Sequence, residues 1–128
     1  MKILVVEDDP VMLKLLEHTL QKEGYEVSVN TDFKSAIAAL EPFNPDLIIT
    51  DIIMPSASGF EIISLIKSNG KEIPVLVISA IDEEATVYET LSLGANDFIV
   101  KPFTSVELLE RIKKLLPKKE KKQKAGKQ

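Results

Sequence analysis

Ile3-Leu4-Val5-Val6-Glu7-Asp8-Asp9-Pro10 decides the fold. Four aliphatic residues in a row, mostly β-branched, read as a strand buried on both faces, because an exposed face would impose alternation. Three acids end the run. Asp9-Pro10 then reads as an N-cap followed by proline at the first helical position. A buried strand, an acidic turn and a helix begin a parallel α/β sheet.

The same unit recurs outward along the chain. Val27–Val29, Leu47–Ile49, Val75–Ile78 and Phe98–Val100 are further apolar runs rich in β-branched residues. Between them apolar residues return at helical spacing. Val11, Leu15 with Leu16, and Thr19 with Leu20 mark the first helix, and Gly24 its stop. Ile37 with Leu40 marks the second, and Ile62 with Leu65 and Ile66 the third. Gly70 and Pro74 separate the third helix from the fourth strand. Asp82 is the expected cap of a helix over 83–92, ended by Gly94. Thr104-Ser105-Val106-Glu107 reads as a capping box. It opens a helix whose stripe of Leu108, Leu109, Ile112 and Leu115 or Leu116 is core. Five strands alternating with five helices predict a doubly wound parallel sheet with right-handed crossovers. There is no internal repeat.

Composition agrees and excludes much else. The chain has 128 residues, 45% hydrophobic and 28% charged, which suits one globular domain. No apolar run approaches the roughly 18 residues of a membrane span. The N-terminal apolar stretch is short and ends in acid, unlike a signal peptide. A cytoplasmic location is the expectation. Without cysteine there is no disulfide, thiolate catalysis or cysteine-based zinc site, and one histidine, His18, excludes a two-imidazole site. His18, on the first helix beside Glu17, reads as a surface residue.

The net charge of −4 divides unevenly. Residues 117–128 (PKKEKKQKAGKQ) carry six lysines and one glutamate; the other 116 carry 10 basic and 19 acidic residues. An acidic body repels phosphate backbones, so direct nucleic-acid binding by the domain is not expected. The domain is expected over 1–116 and a solvated lysine-rich tail over 117–128. That tail reads as a solubilising end, as the start of a linker to an effector domain, or as a contact for an acidic partner.

In open α/β sheets, ligands bind beyond the carboxyl ends of the strands, where strand order reverses. Here the strand ends carry Glu7-Asp8-Asp9, Thr50-Asp51, Ser79-Ala80 and Lys101-Pro102. The second strand, ending near Asn30, offers little. If the first and third strands are neighbours, Glu7, Asp8 and Asp51 converge and call for a cation. Hard oxygen ligands without His or Cys favour Mg²⁺. Lys101 adds a positive charge and Ser79 a hydroxyl. Together these suit phosphoryl transfer, with a carboxylate able to become an acyl phosphate.

Four motifs, ILVVEDDP (3–10), PDLIITDIIMP (45–55, with SG at 58–59), PVLVISA (74–80) and GANDFIVKPF (94–103), carry a resemblance over residues 2 to about 116. The sequence resembles the receiver domain of bacterial two-component response regulators, of the single-domain, CheY-like kind. The resemblance implies a flavodoxin-like sheet of strand order 2-1-3-4-5. It implies a histidine kinase or phosphotransfer protein that donates a phosphoryl group to Asp51. Mg²⁺ would be held by Asp8, Asp51 and the backbone carbonyl of Ile53, with Glu7 acting through water. Lys101 would pair with Asp51 and then with the phosphoryl oxygens, and Ser79 would reach the phosphate. Phe98 matches the aromatic switch position, and Pro102 a proline held by a cis bond. Pro55 and Gly59 would shape the loop after Asp51.

Phosphorylation adds about −1.5 to −2 charges. Ser79 would be drawn toward them, Phe98 would turn inward, and the helix 4–strand 5–helix 5 surface, roughly 82–116, would re-form as a population shift. That surface would signal a downstream protein, an effector domain outside this chain, or a second copy in a phosphorylation-dependent dimer. Ile53 and Ile81, each two residues after a site residue, cannot orient an attacking water. Slow self-dephosphorylation follows. Phe98 lacks a hydroxyl, so its outward position lacks a hydrogen bond worth about 0.5–1.5 kcal/mol. The chain is expected to act on itself rather than on an external substrate. The contrasting readings are a receiver excised from a DNA-binding or enzymatic regulator, a Mg²⁺-dependent aspartyl-phosphate phosphohydrolase and a flavodoxin-like nucleotide binder. The phosphohydrolase would need an acid at position 53. The nucleotide binder would need a phosphate-cradling loop where this one is acidic.

Overall fold

A computed structural model describes residues 1–54, 57–68 and 72–116, with the side chains of 53–62 and 68 outside the description. Pro55, Gly70 and the lysine-rich segment 117–128 lie outside the described residues.

The elements run β1 (Lys2–Val6), α1 (Pro10–Lys22), β2 (Glu26–Asn30), α2 (Phe33–Phe43), β3 (Leu47–Thr50), β4 (Ile53–Met54), β5 (Ala57–Ser58), α3 (Gly59–Ser68), β6 (Val75–Ser79), α4 (Glu84–Ser92), β7 (Asp97–Val100) and α5 (Ser105–Leu115). Five strands form one parallel sheet in the order β2-β1-β3-β6-β7. Counting only these strands, that is the expected order 2-1-3-4-5. The unforeseen addition is the small antiparallel pair β4–β5, in the loop that Gly59 closes by opening α3.

The continuous apolar runs are explained by the layers. Ile3, Val5, Leu47, Ile49, Leu76 and Ile78 face α1 and α5 and pack with Leu16, Leu20, Leu108 and Ile112. Leu4, Val6, Ile48, Val75 and Val77 face the other side and pack with Phe33, Ala36, Leu40, Ile63 and Ile66. Among the described strands of this sheet the edge strand β2 is the most exposed, and the other edge strand, β7, ends on the exposed Val100.

The caps do local work. Asp9 accepts from the Val11 N–H at 3.0 Å, with Pro10 in the first turn. Thr104 accepts from the Glu107 N–H at 3.1 Å. Gly94 follows α4 at φ +119°, and a Cβ there would meet the Lys67 side chain at 3.0 Å. Asp32 caps α2 through the Ser35 N–H at 2.7 Å, a cap the apolar spacing did not suggest.

One reading is corrected. Glu83, not Asp82, occupies the cap position of α4, and its side chain makes no capping bond. The spacing of Val11, Leu15 with Leu16, and Thr19 with Leu20 marks the helix, and the structure selects its buried face: Leu16 and Leu20 are buried, while Val11 and Leu15 are 77% and 48% exposed. On a helix, neighbours one residue apart lie about 100° apart, so an apolar cluster this dense covers more than one face.

Candidate functional site

Glu7, Asp51 and Lys101 each follow the last residue of a sheet strand at the carboxyl edge, and Ser79 is itself the last residue of β6. The ladder carries on briefly and fixes their backbones. Glu7 N–H donates to Asn30 O at 3.0 Å, Asp51 N–H to Val6 O at 3.1 Å, and Lys101 N–H to Ser79 O at 2.8 Å. Thus β1, β3 and β7 deliver Glu7, Asp51 and Lys101 to one place beside the β1–β3 boundary, where strand order reverses.

Lys101 is the centre. Its Nζ donates to Glu7 Oε1 at 2.8 Å and to Asp51 Oδ2 at 2.8 Å. Glu7 is 1% exposed and its second oxygen accepts from the Asp9 N–H at 3.0 Å. Burial pushes the Glu7 carboxyl above the usual carboxylate range, against the opposing pull of the Lys101 hydrogen bond. Burial also acts to lower the Lys101 ammonium, but its bonds to Asp51 and Glu7 outweigh it and leave it above its ordinary value. Asp51 is buried.

The structure places the other residues singled out from the sequence as follows. Asp8 is exposed at the rim. Ser79 is buried at the end of β6 and its hydroxyl accepts from the Ile81 N–H at 3.2 Å. Phe98 lies inward, in the cluster of Val77, Ile63 and Ile66. The Lys101–Pro102 peptide is cis. Ile53 begins β4, and Ile81 packs partly buried against the core. His18 is exposed on α1.

The expected gathering of three carboxylates takes another form. Among the described residues no group of three or more His, Cys, Asp or Glu is placed to hold a metal. Glu7 and Asp51 share a lysine instead, which supplies the cation their proximity requires. Glu7, expected to act through water, is bonded directly to Lys101. The oxygen donors expected from the sequence are the exposed Asp8, the buried Asp51 and the backbone of Ile53 at the start of β4. Carboxylate and carbonyl donors without nitrogen or sulfur suit Mg²⁺, which needs few protein ligands.

Two polar residues escaped the sequence reading. Asn30 is buried, and its amide donates to Val5 O at 3.3 Å. Thr50 is fully buried, and its hydroxyl donates to Asp51 O at 2.8 Å. The only signal for Thr50 was one hydroxyl closing an aliphatic run.

Fold and site define a class: an open α/β domain with a buried carboxylate–lysine cluster at its switch point. Comparison with known proteins makes that specific. The response regulator receiver domain family matches residues 3–113, and the chain belongs to it. It is similar to the chemotaxis protein CheY4 of Vibrio cholerae, with 32% identity and a TM-score of 0.85 over 90% of this chain and 98% of that one. A CheY-like receiver domain protein from Methanospirillum hungatei JF-1 superimposes with a TM-score of 0.87 at 28% identity, over 94% and 97% of the two chains. The alkaline phosphatase synthesis transcriptional regulatory protein PhoP of Bacillus subtilis is 35% identical over 119 residues, which are 93% of this chain and 50% of PhoP. The chain spans about half, or less, of the curated relatives it matches. It is thus a receiver domain of the two-component signalling class. No helix among the described residues is long and apolar enough to cross a membrane.

Proposed function

We propose that Asp51 accepts a phosphoryl group from a histidine kinase or phosphotransfer protein, and that this chain thereby acts as a two-component switch in the cytoplasm. The observation that carries the reading is the Lys101 ammonium, 2.8 Å from both Glu7 and Asp51.

A carboxylate oxygen of Asp51 attacks phosphorus, an O–P bond forms, and the P–N bond to the donor imidazole breaks. The imidazole leaves with the bonding pair and takes up a proton. Asp8, Asp51 and the Ile53 carbonyl would hold Mg²⁺, with Glu7 acting through water once it is released from Lys101. The metal would neutralise charge on the phosphoryl oxygens. Lys101, exchanging its Asp51 bond for a phosphoryl oxygen, answers the added negative charge. Ser79 lets go of the Ile81 N–H and turns its hydroxyl to the phosphate. Phe98 already lies inward, so its contacts with Val77, Ile63 and Ile66 hold it there and modification favours that position rather than creating it.

The chain catalyses only its own phosphorylation and dephosphorylation. Residues 1–116 act as the receiver, and the lysine-rich segment 117–128 is not needed for phosphoryl acceptance. Val11 and Leu15 expose aliphatic surface beside Asp8 and Asp9, which suits a phosphodonor protein. Tyr88, Leu91, Val100 and Val106 expose apolar surface on α4, β7 and α5, which suits a downstream protein, an effector domain or a second copy.

The test is incubation with acetyl phosphate and Mg²⁺. Intact-mass measurement should give one phosphoryl adduct on the wild type and none on Asp51→Asn. A wild type that stays unmodified with both acetyl phosphate and a cognate kinase overturns the reading. With aliphatic residues at 53 and 81, the adduct should persist for minutes or longer without a phosphatase. Radiolabel loss within seconds would contradict this.

A further inference from the structure

Thr50 is fully buried, yet it carries a hydroxyl in an otherwise aliphatic strand. It occupies one row across the sheet, in register with Val6 on β1 and Val77 on β6, and Val77 in turn pairs with Phe98 on β7. Alternation puts Thr50 on the same face as Ile48, among the side chains that pack under α2 and α3. Valine would fill this place with no polar atom to satisfy. A buried hydroxyl is tolerated only when bonded.

The bond it makes is local and directed. Thr50 Oγ1 donates to the backbone carbonyl of Asp51 at 2.8 Å. β3 ends at Thr50, so that carbonyl lies just past the ladder. On its other side, the Asp51 N–H donates to Val6 O at 3.1 Å. The residue bearing the reactive carboxylate is therefore held through both backbone polar groups, one by the neighbouring strand and one by the preceding side chain. The clamped peptide also leads directly to Ile53, two residues on, whose carbonyl is assigned to the metal.

We propose that Thr50 is a positioning residue for phosphoryl acceptance. Its hydroxyl fixes the peptide after Asp51, and so sets the direction of the carboxylate and the placement of the metal-binding backbone. The proposal rests on the reading of Asp51 as phosphoacceptor. It predicts that removing the hydroxyl while keeping the volume weakens Mg²⁺ binding and slows modification without unfolding the domain, because a peptide freed from its donor samples more orientations.

The experiment compares wild type, Thr50→Val, Thr50→Ser and Thr50→Ala in the full chain. Mg²⁺ affinity is measured by calorimetry on the unphosphorylated protein, adduct formation with acetyl phosphate by intact mass, and folding by thermal melting without Mg²⁺. Thr50→Val should bind Mg²⁺ about five-fold more weakly and acquire the adduct more slowly. Thr50→Ser, which keeps the donor, should stay near the wild type in both. Thr50→Ala should match Thr50→Val in affinity whatever it does to melting. Wild-type affinity and rate in Thr50→Val, or equal weakening in Thr50→Ser, overturns the role. A wild type that neither binds Mg²⁺ nor becomes modified overturns the phosphoacceptor reading itself, and so the two failures are told apart.

Discussion

The two edges of the sheet solve the same problem in opposite ways. At the amino edge, the Asp46 carboxylate accepts from the backbone N–H of Lys2 at 2.7 Å, and the Asp46 N–H returns a bond to Lys2 O at 2.7 Å. The Lys2 ammonium rests 5.6 Å from the centre of the Phe43 ring. Charged side chains there attach to backbone or to an aromatic face. At the carboxyl edge, Glu7 and Asp9 also accept from backbone N–H groups, but the central bonds join side chains to one another: Lys101 to Glu7 and Asp51, two of them buried. The lesson is that backbone partners make a charge structural, because a backbone group cannot leave. Side-chain partners leave it free to be exchanged, and phosphoryl transfer is an exchange of that kind.

Removing the central cation breaks the comparison most severely. Lys101→Met leaves two buried carboxylates facing each other, and breaking a buried pair costs about 3 kcal/mol or more. Urea unfolding at neutral pH without Mg²⁺ should show that loss. A change under about 1 kcal/mol would mean the cluster is as loosely coupled as a surface pair.

Next in size is the alkaline limit of the same cluster. The folded Lys101 holds its proton above its ordinary value near 10.5. A group whose folded pKa is raised lends stability that is complete below the unfolded value and lost as pH rises through the folded one. The wild type should therefore shed its advantage over Lys101→Met above pH 10.5, in urea titrations run from neutral to alkaline pH. An advantage that does not change with pH would break the link.

The smallest effect belongs to the other edge. Asp46→Ala removes one carboxylate acceptor from the Lys2 N–H and should cost about 1–2 kcal/mol. Phosphoryl adduct formation should stay at the wild-type rate. A slowed rate would show that the two edges are not independent.

Much of this was legible in the sequence, for physical reasons that differ by element. The central strands announce themselves because burial on both faces forbids polar residues. Asp9-Pro10 and Thr104 mark helix starts because orphan N–H groups need side-chain acceptors. The spacing that marks α1 does not choose its buried face, because Leu13, Leu15 and Leu16 crowd one turn and only the packed sheet selects among them. The site residues were placed at strand ends by topology alone. Which carboxylates Lys101 would choose was not written there. The sequence suggested Asp51, whereas Glu7 turned out to share the lysine equally at 2.8 Å. That depends on side-chain reach across three strands. Thr50 and Asn30 were missed because a bond to a neighbouring carbonyl leaves no spacing pattern.

Lys101 stands 94 residues from Glu7 and 50 from Asp51 along the chain. During synthesis the two acids are made long before the lysine that neutralises them. A nascent or truncated chain lacking β7 carries an acid pair without its cation. Contacts this distant in sequence close late, after the loop entropy between them has been overcome. The phosphorylation site thereby doubles as a register of completeness. A chain can present it properly assembled only after the fifth strand of the sheet has been made and has docked.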